Sequence, residues 1–69
     1  MTVSIKQAAR YMELVDKRTR STLSAFTEEE LNEFKDLCMT VYLTTEIPMN
    51  QRQQAILIHK LIEQQQKID

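Results

Sequence analysis

In 69 residues there is no Gly and only one Pro, which excludes turn-rich β folds and Gly-rich phosphate-cradling loops. The single Cys38 excludes an internal disulfide, and with His59 as the only histidine it cannot complete a four-ligand structural zinc site. A formal charge of −1 is too balanced for the dominant basic face that neutralises nucleic-acid phosphates.

From the N-terminus, Ile5, Ala8, Met12, Val15, Thr19, Thr22 and Phe26 recur at alternating spacings of three and four. That is an a/d heptad stripe, and it predicts a long first helix over about residues 3–20 with the stripe as its packing face. The run Arg18-Thr19-Arg20-Ser21-Thr22 is polar and partly β-branched, so the helix is expected to break between residues 19 and 24.

Thr27-Glu28-Glu29-Glu30 reads as a capping box, in which the Thr27 hydroxyl takes the amide of Glu30 and the Glu30 carboxylate reaches back. Phe26 and Leu31 are spaced for a hydrophobic staple around it, and three Glu in the first turn suit the positive helix end. A second helix over 28–45 follows, with Leu31, Phe34, Leu37, Cys38, Val41 and Tyr42 on its buried side.

Pro48 forces Ile47 out of the helical region and ends that helix. Asn50 is the expected N-cap of a third helix over 51–67, with Ala55, Ile58, Leu61, Ile62 and Gln65 along one face. The tract Gln64-Gln65-Gln66 is expected to fray into solvent. The outline is one all-α domain over 1–69, a small three-helix protein in which a long N-terminal helix joins a helical hairpin.

A chain this short buries only about 60% of the surface its unfolded form exposes. Small domains compensate with disulfides, a metal or oligomerisation. With the first two excluded, a homodimer is the expectation. The first residues lack a signal-peptide apolar run, and the longest apolar run, Ala55 to Ile58, is far short of a membrane span. A cytoplasmic protein with no membrane contact and a reduced thiol at Cys38 is expected.

Charge is unevenly placed. Residues 1–26 carry a net +3 and residues 27–36 a net −4, while the remainder balances. Lys17, Arg18 and Arg20 form a possible charged contact. Three cations beside an acidic helix start argue against nucleic acid as the main partner.

Cys38, His59 and Asp36 are the only residues resembling a nucleophile, a base and an orienting acid. Their spacing matches no catalytic pattern, and Cys38 falls on the apolar stripe of the second helix, where a free thiol acts as a small hydrophobe. Glu28 to Glu30 point in different directions around a helix and are explained by capping rather than by a cation. No enzyme activity, cofactor or metal is expected.

Apolar residues remain after each helix has faced its neighbours. Met39 and Leu43 are an i, i+4 pair away from the Phe34, Cys38 and Val41 line, and Ile56 shares a face with His59 and Glu63. Together with Tyr42, they are the expected partner or dimer contacts.

Ala8-Ala9-Arg10-Tyr11-Met12, with the later stretch from Met49-Asn50-Gln51-Arg52 through Leu61-Ile62-Glu63, resembles the small YmgB/AriR family of enterobacterial regulators. Where that family has a Gly before the last helix, this chain has Glu46-Ile47-Pro48. The resemblance implies a helical homodimer that modulates stress or biofilm signalling through protein contacts, with no catalytic residues. The expected function is accordingly that of a small regulatory or adaptor protein binding itself and a second protein connected with signalling or transcription. A phage- or mobile-element-encoded inhibitor of a host protein and a DNA-binding module are the alternatives.

Overall fold

A computed structural model describes residues 2–67. They form three α-helices, α1 (Ile5–Arg20), α2 (Glu28–Leu43) and α3 (Met49–Lys67), with a single 3-10 turn at Leu23–Ala25 between the first two. The all-α expectation holds, and no strand occurs among the described residues.

Each helix begins where its local chemistry dictates. Ser4 and Gln7 form a reciprocal capping box, with the Gln7 amide donating to Ser4 Oγ at 3.1 Å and the Ser4 amide donating to Gln7 Oε1 at 2.9 Å. That cap starts α1 two residues later than the stripe suggested and leaves Val3 outside the helix, at the staple position opposite Ala8. The Thr27 box forms as expected, with Glu30 N–H to Thr27 Oγ1 at 3.1 Å and Thr27 N–H to Glu30 Oε1 at 3.0 Å.

The helix ends are equally local. α1 stops at Arg20 after the Thr19 hydroxyl bonds back to the Val15 carbonyl at 2.9 Å. Lys17, Arg18 and Arg20 fill its last turn, where cations suit the negative helix end. α2 closes at Leu43, and the buried Thr44 hydroxyl donates to the Thr40 carbonyl at 2.7 Å. The expected third-helix start needs correction. The Pro48 carbonyl accepts from both Gln51 and Arg52 at 3.1 Å, so the helix opens at Met49 and Asn50 lies inside its first turn rather than capping it. Proline tolerates this place because its missing N–H would find no helical partner there.

The helices alternate in direction. Lys17 and Arg10 of α1 meet Glu30 and Glu33 of α2, while Arg52 and Gln66 of α3 meet Tyr42 and Asn32 of α2. α2 and α3 share the broadest contact, and α1 rests on α2 but hardly meets α3. The core collects Leu14, Phe26, Leu31, Phe34, Leu37, Cys38, Val41, Ala55, Ile58 and Ile62. Phe34 is its centre, stacked on Phe26 at 5.8 Å and met edge-on by Tyr11 at 6.0 Å.

Several expected burials are corrected. Ile5 is 90% and Met12 62% exposed, and the buried residue of α1 is Leu14. The reason is the pairing of α1 with α2. Arg10 and Lys17 turn toward the α2 carboxylates and Tyr11 toward Phe34, which carries Ile5 and Met12 away from the core while Val15 stays packed against it and Phe26 lies within it. Leu61 is likewise exposed on the margin of α3, and Tyr42 is only half-buried. Gln66 does not fray into solvent: it accepts from Lys35 at 3.0 Å and donates to Asn32 at 2.7 Å, tying the end of α3 to the start of α2.

Candidate functional site

Because α1 leans on α2 and not on α3, a groove of about 290 Å³ opens between α1 and α3. Ala8, Tyr11, Met12 and Val15 form the α1 wall, Ile58, Gln51 and Gln54 the α3 wall, and Val41 of α2 the floor. Val3 and Ile47 complete the lining. Both are placed by local stops, Val3 by the Ser4 cap and Ile47 by Pro48. The walls are apolar except for two glutamine amides and the Tyr11 hydroxyl. Burial pushes the Tyr11 phenol up to about 12, so it is neutral and able to donate at ordinary pH.

The apolar surface continues beyond the groove. Ile5 extends the stripe of Met12 and Val15 on α1. On α3, Gln54, Leu57 and Leu61 follow at i, i+3 and i+7 and share one face, and the two leucines are 59% and 42% exposed. Two apolar strips on helices that scarcely touch therefore flank one trough.

The four expected contact residues lie elsewhere. Leu43 is exposed, whereas Met39, Tyr42 and Ile56 are half-buried. Arg52 lies 5.8 Å from the Tyr42 ring centroid, and its Nε–H donates to the Tyr42 carbonyl at 2.8 Å. Met39 is one turn before Tyr42 and Ile56 one turn after Arg52, so the antiparallel hairpin puts both at one level of the α2–α3 seam. None of the four lines the groove. The signal that marks the groove in the sequence is the heptad stripe of α1, whose Ile5 and Met12 are exposed while Val15 packs on the core as read.

Of the charged candidates, Lys17 turns inward, while Arg20 stays 77% exposed. Lys17 Nζ bonds both Glu30 carboxylate oxygens, at 2.9 and 2.8 Å, and sits 4.8 Å over the Phe26 ring. Arg20 pairs with Asp16 at 2.8 Å, and Arg10 with Glu33 at 2.9 Å. Lys17 and the Thr27 amide hold the Glu30 carboxyl below its ordinary value. The +3 and −4 segments thus meet across the α1–α2 seam. Arg18 is half-buried on the same helix.

Cys38 is fully buried, and burial raises its thiol to about 12. His59 Nδ1 faces Glu63 at 2.8 Å on its own helix, and Asp36 is exposed on α2, so the three do not form a catalytic set. Among the described residues, no three His, Cys, Asp or Glu side chains converge as a metal site, and no helix is long and apolar enough to cross a membrane.

Comparison with known protein families, curated proteins and solved structures finds no match to this chain. The YmgB/AriR resemblance therefore stands on its quoted residues alone.

Proposed function

We propose that this chain is a small non-enzymatic regulatory or adaptor protein that acts by protein–protein contact through apolar helix faces. The receiving surface is the groove between α1 and α3, and its ligand is an amphipathic helix. The observation that carries this is the apolar trough itself, open to solvent beside Met12, with Ile5 exposed on α1 and Leu57 and Leu61 exposed on α3. Two helices flanking such a trough accept a third whose anchors recur at i, i+3 or i+4, and i+7. A volume of about 290 Å³ is at the low end for a small-molecule pocket, roughly 300–1,000 Å³. The open apolar margins suit a long ligand better than an enclosed metabolite.

The buried, weakly acidic Cys38 supports a structural rather than a nucleophilic thiol. The part-buried pairing of Lys17 with Glu30 withdraws one of the three cations in the last turn of α1 from contact with phosphates. A partner in signalling or transcription, and a homodimeric state, are proposed on the YmgB/AriR resemblance and on the small core.

Affinity capture from the native host tests the proposal with wild type, Met12→Glu and Leu43→Glu compared by mass spectrometry, untagged copies of the chain being counted. Bound protein is expected to persist with Leu43→Glu and to be lost with Met12→Glu. Equal recovery with all three contradicts the groove as the working surface.

A further inference from the structure

Resting on the reading of the groove as a helix-receiving site, we infer that Arg18 and the Tyr11 hydroxyl form its anion-binding end, which selects a partner helix carrying an aspartate or glutamate beside its apolar anchors. Tyr11, Val15 and Arg18 follow at i, i+4 and i+7, so Arg18 prolongs the wall of α1 that Tyr11 and Val15 begin. Side chains on a helix lean toward its N-terminus, which carries the half-buried Arg18 back along that wall toward Tyr11. The phenol of Tyr11 and the thiol of Cys38 both feel its charge, which opposes the rise that burial causes. Lys17 and Gln66 both meet the first turn of α2, so Arg18 stands at the end of the bundle where α3 finishes.

No acid of the described chain answers this cation. Arg10 pairs with Glu13 and Glu33, Arg20 with Asp16, and Arg52 donates to the Tyr42 carbonyl. Lys17 holds Glu30, and Lys35 donates to Gln66. Among the described residues Arg18 is the one arginine with neither an ion pair nor a hydrogen bond. At about 100° per residue, Glu13 and Asp16 stand about 140° and 160° round α1 from it. On α2, Glu28 accepts from Gln66 at 3.4 Å, while Glu29 and Asp36 stand about 140° and 160° from the core-facing Phe34. On α3, Glu63 is paired with His59 at 2.8 Å and lies about 160° round from Leu61. Glu46 precedes α3 at the far end of the bundle, and the exposed Lys6, Lys60 and Lys67 add only cations. Gln51, Gln54, Ile58, Leu61 and Gln65 run along the groove side of α3 without a charge.

The chemistry of the two donors names the ligand group. A guanidinium offers five N–H donors in a planar fork that fits a carboxylate bidentately, and the neutral Tyr11 hydroxyl adds another donor. An ion pair formed beside apolar walls is less screened than one in open solvent. A lysine at the same place on the incoming helix meets like charge, so the site discriminates as well as attracts.

Display selection followed by fluorescence anisotropy is the test. The full chain is the bait, and the probe is a library of helical peptides with leucine fixed at i, i+4 and i+7 and the flanking positions randomised. Peptides held by wild type and lost with Met12→Glu are expected to carry Asp or Glu one turn from a terminal leucine. Changing that acid to its amide should weaken binding to wild type by about tenfold. The same change should cost less than about twofold with Arg18→Met, which keeps the apolar stem and removes the charge. Met12-dependent peptides without such an acid, or an acid whose effect survives in Arg18→Met, overturn the anion-binding end and leave the groove as a helix site. If no peptide depends on Met12, the groove itself is contradicted, and its anion-binding end with it.

Discussion

Met12 and Leu14 are two residues apart on α1 and stand on nearly opposite sides of it, Met12 62% exposed and Leu14 1% exposed. Successive helical residues are separated by about 100°, so the two side chains diverge by about 160°. Leu14 joins α1 to the hairpin, and Met12 is left facing the groove.

The two positions should respond differently to truncation. Leu14→Ala is expected to lower stability by about 2–5 kcal/mol, the range for a buried leucine, enough to unfold much of a domain this small. Met12→Ala is expected to stay within about 0.5 kcal/mol of wild type, as exposed substitutions do. Urea midpoints of the two variants check this, and equal losses would contradict the orientation of α1.

Removing the Thr27 hydroxyl leaves the Glu30 amide unpaired and breaks the capping box. Thr27→Ala is expected to destabilise by about 1 kcal/mol, with Thr27→Ser restoring most of it. Denaturant titration of the three proteins gives the comparison.

Acid should weaken the α1–α2 seam with a defined sign. The Glu30 carboxyl is held below its ordinary value of 4.5, first by the hydrogen bond from Lys17. A carboxyl lowered in the fold contributes stability above its unfolded pKa and loses it as pH falls through the folded value. Stability should therefore decline below about pH 4.5, and Lys17→Met should flatten the decline. Urea midpoints as a function of pH for both proteins measure this, and identical profiles would show that Lys17 does not set the Glu30 titration.

The fold was largely legible because its determinants are local. Thr27 with Glu30 and the spacing of Phe34, Cys38 and Val41 act within a few residues and appear where the sequence places them, whereas α2 closes at Leu43, short of the expected 45, and Pro48 stands at the start of α3. The orientation of α1 was not legible, because an a/d stripe states that a helix packs on something without stating whether the partner lies in the same chain. Long-range pairs, Lys17 with Glu30 and Tyr11 with Phe34, decide that question. The same gap explains why Met39 and Ile56 read as surplus, since the register of the α2–α3 hairpin that shelters them is a tertiary property. Ser4 with Gln7 was readable as a capping box, and the stronger stripe signal obscured it.

Alkaline pH and thiol reagents probe the core from another side. Burial raises Cys38 to about 12 from an ordinary value of 9.0, so the fold favours the neutral thiol. That stabilisation is complete below pH 9.0 and is lost as pH rises toward the folded value. Near neutral pH an aromatic disulfide reagent should label Cys38 only as fast as the chain opens, with a sharp increase in denaturant. Fast labelling of the native chain would contradict the burial of Cys38.

The central claim is that the groove between α1 and α3 is the surface through which this chain binds. Amide chemical-shift mapping of labelled protein at rising concentration tests it most directly. Concentration-dependent shifts are expected at Ile5, Met12, Val15, Gln54, Leu57 and Leu61, with Met39 and Leu43 unmoved. Shifts centred on Met39, Leu43 and Ile56 instead would contradict it.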